Sequence, residues 1–329
     1  MGRTKAEKKG ETMRENVTVA LQQVKQVILG KDDVIDKVFM AILAQGHVLL
    51  DDVPGVGKTT MALAFAKSLG LVCKRVQFTS DTMPSDIIGF SVYNRETASL
   101  EYKPGAIVCN LMLADEINRT SAKTQSALLE AMEERRVTVD GITYALPHPF
   151  LVLATENPVG SAGTQMLPNS QLDRFIVRLS MGYPAVEHQM SILKARHADN
   201  PLDHVNPTLS AGQLQLMIGE TAQVHIADAV YRYISELVEA TRHDENVELG
   251  VSPRGALALT RMAQAHAYVH GFDFVQPFDV LQVFDDVCEH RLMLNARARL
   301  NEVNAESVLM RIAQSVPIPQ LSTDNPLGR

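Results

Sequence analysis

The sequence contains no tryptophan, and aromatic residues make up only 5% of its 329 positions. Aliphatic side chains and methionine must therefore fill the core. Cysteine is nearly absent as well. Cys73, Cys109 and Cys288 lie far apart, with no CxxC pair. That excludes a disulfide framework and a cysteine-rich zinc site, and it fits a reducing cytoplasm. No apolar run approaches the ~20 residues that a membrane helix needs. The N-terminal stretch is charged and lacks an apolar segment followed by a small-residue cleavage site, so no secretory signal is expected. Basic charge is not in excess either: 31 Lys and Arg stand against 38 Asp and Glu, a net charge of −7. This argues against a protein that coats nucleic acid. Internal repeats and low-complexity tracts are also missing. What remains is 46% hydrophobic and 21% charged residues, the balance of a chain that packs a core. Its length predicts about two domains.

Residues 1–16 read as a polar tail of mixed charge. From Val17 to Ala44 apolar residues recur at helical spacing, broken at Leu29-Gly30-Lys31-Asp32, which predicts two helices joined at Gly30. Short apolar runs then alternate with helical stretches: Val48–Leu50, Cys73–Phe78, Leu111–Ala114, Phe150–Ala154 and Phe175–Leu179. Runs of this kind fit strands buried on both faces, in a parallel sheet sandwiched by helices. Two segments interrupt the alternation. Ser91-Val92-Tyr93 and Leu100-Glu101-Tyr102 flank a polar turn. Val137-Thr138-Val139 and Ile142-Thr143-Tyr144 flank Asp140-Gly141. Both predict hairpins, the second on the strong Asp-Gly signal. After Tyr183-Pro184 the pattern becomes helical almost throughout. The expected organisation is a tail over 1–16, an α/β domain over 17–184, and a helical domain over 185–329 that ends in an extended tail.

The segment Asp51-Asp52-Val53-Pro54-Gly55-Val56-Gly57-Lys58-Thr59-Thr60 follows a strand and opens a helix. That is the context of a phosphate-binding loop. Gly55 and Gly57 let the backbone close around an anion, and the N–H groups of Val56, Gly57, Lys58 and Thr59 then point at the phosphates. Lys58 brings a mobile charge to the β- and γ-phosphates, and the Thr59 hydroxyl can hold magnesium. Thr60 completes the run. In the pattern GxxxxGK[ST] the first glycine would stand at Asp52, a departure that leaves Gly57-Lys58-Thr59 intact. A second motif, Leu111-Met112-Leu113-Ala114-Asp115-Glu116, carries two acids to the tip of a buried strand. There Asp115 can hold magnesium through water and Glu116 can polarise a water for attack on the γ-phosphate. Strand-end acids also serve as plain helix caps; the upstream Lys58-Thr59 turns the reading toward ATP hydrolysis. No NKxD-type segment for reading guanine is present.

These residues resemble the MoxR family of AAA+ ATPases. The resemblance runs from about Val27 to Leu294. It is carried by Gly46–Leu50, the phosphate loop, Val76-Gln77-Phe78-Thr79 with Pro84-Ser85-Asp86-Ile87, and Leu113–Arg119. It continues through Lys123–Met132, Gln171-Leu172-Asp173-Arg174-Phe175 and Ser252-Pro253-Arg254. The resemblance implies an α/β AAA+ P-loop NTPase with a five-stranded parallel αβα core, two β-hairpin insertions and a helical lid. It implies ATP and Mg2+ as ligands. Asn157 matches the sensor that orients the attacking water, a task suited to an amide because it both donates and accepts. Arg174 matches the arginine finger that reaches a neighbouring subunit's ATP, with Arg119, Arg136 and Arg178 as rivals. Arg254 matches the second sensor, and a cation on the first turn of a helix sits badly with the helix dipole unless an anion partners it. Both arginines imply a homo-oligomeric ring, a hexamer in the family pattern. The implied role is chaperone-like remodelling of a protein client, with a von Willebrand factor A domain protein as the family's frequent partner.

Two stretches depart from the family pattern: residues Val159–Leu167 after the sensor, and Gly271-Phe272-Asp273 in place of Gly-Arg-Asp. They bear on subfamily and client rather than on ATP chemistry. One rival reading keeps the fold but makes it a nucleic-acid translocase. Against it, the first hairpin carries only Arg95 and Lys103, and the second is bounded by Arg135 and Arg136. The other rival, a non-catalytic nucleotide-gated scaffold, is opposed by the intact Lys58, Asp115, Glu116 and Asn157. His266 and His270 have the i, i+4 spacing of metal ligands without a third ligand nearby.

Overall fold

The computed structural model describes residues 17–52, 55–156 and 166–320. The tail over 1–16 and the last residues of the expected C-terminal tail lie outside them. The chain forms two compact units, Met1–Glu220 and Thr221–Arg329.

The first unit opens with helical residues 17–27 (α1) and helix α2, Asp32–Leu43. Gly30 turns the chain between them with φ +72°. A side chain there would meet the His188 ring at 2.3 Å, so both the backbone angle and the packing require glycine. Strand β1 (His47–Asp51), helix α3 (Lys58–Ser68) and strand β2 (Cys73–Gln77) follow. Next come α4 (Pro84–Ile88), the hairpin β3 (Gly89–Asn94) with β4 (Ser99–Pro104), and β5 (Leu111–Asp115). Helix α5 (Ala122–Glu134) leads into the second hairpin, β6 (Arg136–Val139) with β7 (Ile142–Ala145). The unit continues with β8 (Leu151–Glu156), the single turn α6 (Asn169–Leu172), β9 (Phe175–Leu179) and helices α7 (Val186–Ala198) and α8 (Ala211–Thr221).

Five strands make one sheet in the order β2-β5-β8-β1-β9, every neighbour parallel. In each of the three central strands the first four residues are all buried. Strand β2 lies at an edge and is half open, which is why it tolerates Lys74, Arg75 and Gln77. The five-stranded parallel core and both hairpins match the sequence expectation. In the second hairpin Asp140 and Gly141 take φ +50° and +79°, the paired left-handed angles of a type I′ turn. Tyr102 and Tyr144 stack at 4.0 Å and tie the two hairpins together.

The chain does turn helical after residue 184, but the division between compact units falls later, at 220/221. The residues that follow α7 are bonded to the α/β layer. Thr208 N–H donates to Ser68 O at 2.9 Å, and Asn206 N–H donates to Gln23 Oε1 at 2.7 Å.

The second unit holds α9 (Asp228–His243), α10 (Pro253–Val269), α11 (Pro277–Cys288), α12 (Ala296–Leu300) and α13 (Ala305–Ser315). Strands β10 (Val247–Leu249) and β11 (Met293–Leu294) pair antiparallel among them. Strands this short carry no readable period. His266 Nδ1 lies 2.6 Å from Asp279 Oδ1, both side chains buried, and the His266 ring stacks on His270. His266 thus serves the α10–α11 contact, and no cluster of metal-binding side chains exists among the described residues. His290 is buried beside Arg291. No described helix is long and apolar enough to cross a membrane.

A buried imidazole stitches the first unit. His47 Nδ1 accepts from Val152 N–H at 3.0 Å, so Nε2 must carry the proton that it donates to Met132 O at 3.1 Å. Replacing His47 by leucine keeps the bulk but strands both backbone groups. We expect a loss of about 2–4 kcal/mol in a urea titration; a loss below 1 kcal/mol would show that neither bond matters.

Candidate functional site

Strand β1 delivers the chain to the loop before α3. Gly55 and Gly57 adopt φ +87° and +103°, angles open to glycine. Gly57 is the N-cap of α3. No side chain caps that helix, and its first turn holds no acid. Its leading N–H groups and the positive end of its dipole are therefore left to an anion. Among the described residues nothing lies within 4 Å of the point that a Gly55 side chain would first occupy. Lys58 is buried, and its ammonium donates to Asp52 O at 2.8 Å. Burial holds its pKa below the usual lysine range, against the pull of Asp52, Asp115, Asp51 and Glu116.

Asp52, the departure from the glycine pattern, does not take a positive φ, so the position has no need of glycine. Its buried carboxylate instead accepts from Ser180 Oγ at 2.9 Å and from the N–H groups of Met181 and Gly182. The acid ties the entry of the loop to the segment after β9.

Strand β5 ends at Asp115, opposite the end of β8. Thr155 Oγ1 donates to Asp115 Oδ1 at 2.6 Å and accepts the Glu116 N–H at 2.8 Å. Asp115 Oδ2 accepts from Arg75 at 2.7 Å. Glu116 turns with φ +58°, which throws its carboxylate toward Arg119 at 2.7 Å. One cavity of about 710 Å³ joins these parts. Gly55, Val56, Gly57, Lys58, Thr59 and Thr60 line one wall, and Asp115 and Glu116 another with Arg75 and Gln77. Val27, Ile28, Leu29, Tyr183, Pro184, Ile192 and Leu193 form an apolar end. The arrangement can hold a polyphosphate against backbone N–H groups and a lysine, with two carboxylates facing it.

The remaining predicted residues lie elsewhere. Asn157 falls outside the described residues. Arg174 stands between α6 and β9, and its Nε is enclosed with no hydrogen-bond partner among the described residues. Each rival arginine has an acid partner within the chain: Arg119 pairs with Glu116, Arg136 with Glu134, and Arg178 with Asp51. Arg254 belongs to the second unit, in the first turn of α10, where Ser252 Oγ accepts from Gly255 N–H at 3.1 Å.

Sequence reasoning missed Arg75, Thr155 and the tether made by Asp52. A cation within a strand that pairs with the acid-bearing strand is the signal for Arg75. Thr155 and Asp52 have none, because their partners are distant in the chain. Glu156 was also missed. It ends β8 in register with Asp51, and burial pushes its carboxyl up to about 7, Asp51 adding to the rise and Arg178 opposing it.

A family model described as ATPase family associated with various cellular activities (AAA) matches residues 47–177, and an AAA lid domain model matches 239–312. With the parallel core and helical second unit, these define the class: an AAA+ ATPase. Over 300 residues the chain is 46% identical to a Bacillus subtilis protein named Uncharacterized protein YeaC, covering 91% of this chain and 94% of the relative. It is 39% identical to Chaperone MoxR1 of Mycobacterium tuberculosis, covering 92% of this chain and 82% of the relative. A crystal structure of a Cytophaga hutchinsonii protein superposes with a TM-score of 0.90 at 35% identity, covering 96% of this chain and 98% of that one. The chain belongs to the MoxR family of AAA+ ATPases.

Glu156 makes stability depend on pH. Its folded pKa of about 7 exceeds the ~4.3 of an unfolded glutamate. Stability tied to the neutral acid is full below pH ~4.3 and has been lost once pH passes the folded value. Glu156→Gln keeps the neutral shape. Relative to wild type it should gain about 1–3 kcal/mol between pH 5 and pH 8 in paired urea titrations. Parallel pH profiles for the two proteins would contradict this.

Proposed function

We propose that this chain hydrolyses ATP, with magnesium, as one subunit of a homo-oligomeric ring, and that the resulting changes of shape remodel a protein client. The observation that carries the reading is the single cavity onto which both the phosphate loop and the Asp115-Glu116 tip open. Backbone N–H groups of Val56, Gly57, Lys58 and Thr59 hold the phosphates, and the Lys58 ammonium leaves Asp52 O to meet them. The apolar end takes the base. Thr59 and Asp115 fit a hard cation that keeps several waters, since both offer oxygen and both line the cavity. Magnesium, when bound, supplies neutralisation of charge on the phosphate oxygens. Glu116 polarises the attacking water once its pair with Arg119 opens, and Asn157 orients that water. Arg174 reaches a neighbour's γ-phosphate, and Arg254 serves an adjacent site from the lid.

Support for a protein client comes from the hairpins. They expose Phe90, Tyr93, Leu100 and Ile142 and lack a basic cluster. The relative named as a chaperone points the same way. A hexamer, a von Willebrand factor A partner and a cytoplasmic setting complete the reading.

Lys58→Ala should lose ATP binding. Glu116→Gln should bind ATP normally and turn over about 10²–10⁴-fold more slowly. Arg174→Ala should bind ATP yet hydrolyse it poorly. Calorimetry and phosphate release check all three. Equal turnover by wild type and Glu116→Gln would favour the scaffold reading. Normal turnover by Arg174→Ala would move the finger to another arginine. Hydrolysis driven by DNA, with salt-dependent DNA binding, would overturn the protein client.

A further inference from the structure

The two oxygens of Asp115 are both engaged within the subunit. Oδ1 accepts from Thr155 Oγ1 at 2.6 Å, in a part-buried bond that continues to the Glu116 N–H. Oδ2 accepts from Arg75 Nη2 at 2.7 Å. A cation approaching Asp115 from the cavity therefore meets another cation already in place. The two bonds differ in how easily they yield. Thr155 is fully buried and belongs to a central strand. The Arg75 side chain is 50% exposed, stands on the edge strand β2 and lines the same cavity. Arg75 also donates to Gln77 Oε1 at 3.2 Å, so it has a second acceptor when Asp115 is taken away. The guanidinium end of this pair is half exposed although Asp115 is only 13% exposed, and a pair open to water at one end is within reach of exchange.

We propose that Arg75 is a resident cation on Asp115 that magnesium displaces, and that the displaced guanidinium stays in the cavity as a ligand of the nucleotide's phosphates from the same subunit. The inference rests on the ATP reading above. Arg75 acts first as a positioning residue: it holds Asp115 in place and neutral in effect while the site lacks metal. The charge count supports its second task. Asp115 and Glu116 both line the cavity and both act on Lys58, so a triphosphate entering here faces two acids. A second cation on the cavity wall offsets that repulsion. A planar fork also suits both acceptors, since carboxylate and phosphate take it with the same geometry.

The test measures binding of a non-hydrolysable ATP analogue by calorimetry to full-length wild type, Arg75→Ala and Arg75→Lys. Magnesium is varied from micromolar to millimolar, with a separate series in EDTA. In Arg75→Ala the magnesium concentration giving half-maximal binding should fall about fivefold, because no internal cation competes. At saturating magnesium the affinity for the analogue should weaken by a similar factor, because a phosphate ligand is gone, and binding in EDTA should weaken because Asp115 then faces the phosphates without its resident cation. Arg75→Lys keeps the charge without the fork and should lie between the two; it also reports on the inference if the alanine variant folds poorly. An unchanged magnesium requirement in both variants overturns the inference while leaving the ATP reading intact. Failure of wild type to bind the analogue under any condition overturns the ATP reading and this inference with it.

Discussion

Thr155 Oγ1 can reach both Asp115 and the Glu116 N–H only because β5 and β8 run parallel and in register, Ala114 beside Ala154. The same pairing continues from β8 to β1, where Asp51 lies beside Glu156. Three strands therefore end at one edge of the sheet, and everything chemical in the first unit hangs on those ends. The loop before α3 leaves from β1, the paired acids leave from β5, and Thr155 at the end of β8 lies between them. An antiparallel pairing would send alternate strand ends to opposite edges and separate Lys58 from Asp115 by the length of the sheet. The hydrophobic runs that build the central strands are thus the cause of the site as well as of the core.

The edge concentrates negative charge: Asp51, Asp52, Asp115, Glu116 and Glu156 all lie there. They are managed in three ways. Asp52 is buried and accepts three hydrogen bonds from residues 180–182. Asp51 faces Arg178, Asp115 faces Arg75, and Glu116 faces Arg119. Glu156 is held toward its neutral form by burial. The first solution is structural, since uncovering a buried carboxylate costs its three bonds. The pairs of Asp115 and Glu116 are open to solvent on their arginine side, with the acids themselves mostly buried.

The second unit is organised around a different contact. Asp279 accepts the Gln276 N–H at the start of α11 and meets His266 from α10. One carboxylate caps a helix and joins two helices. Arg291 packs against Gly255, whose missing side chain leaves room for it beside Val251. Membership of the MoxR family, with both its ATPase and lid models matched, accounts for the order of the two units along the chain.

Most of the fold was legible in the sequence, and for local reasons. Apolar runs bounded by turn residues mark the five core strands, Asp140-Gly141 marks a hairpin, and Gly57-Lys58-Thr59 marks a helix start that no acid caps. These signals lie within a few neighbouring residues, where periodicity and turn chemistry act. The sequence also determined which residue types were available for phosphate and for water activation. Other features came only from tertiary contact. The division at 220/221 depends on hydrogen bonds from residues 206 and 208 to α1 and α3. The burial of His290, the tether made by Asp52, and the place of Arg75 beside Asp115 all join residues far apart in the chain. No local pattern encodes such meetings, because burial and register decide them only after the sheet has formed.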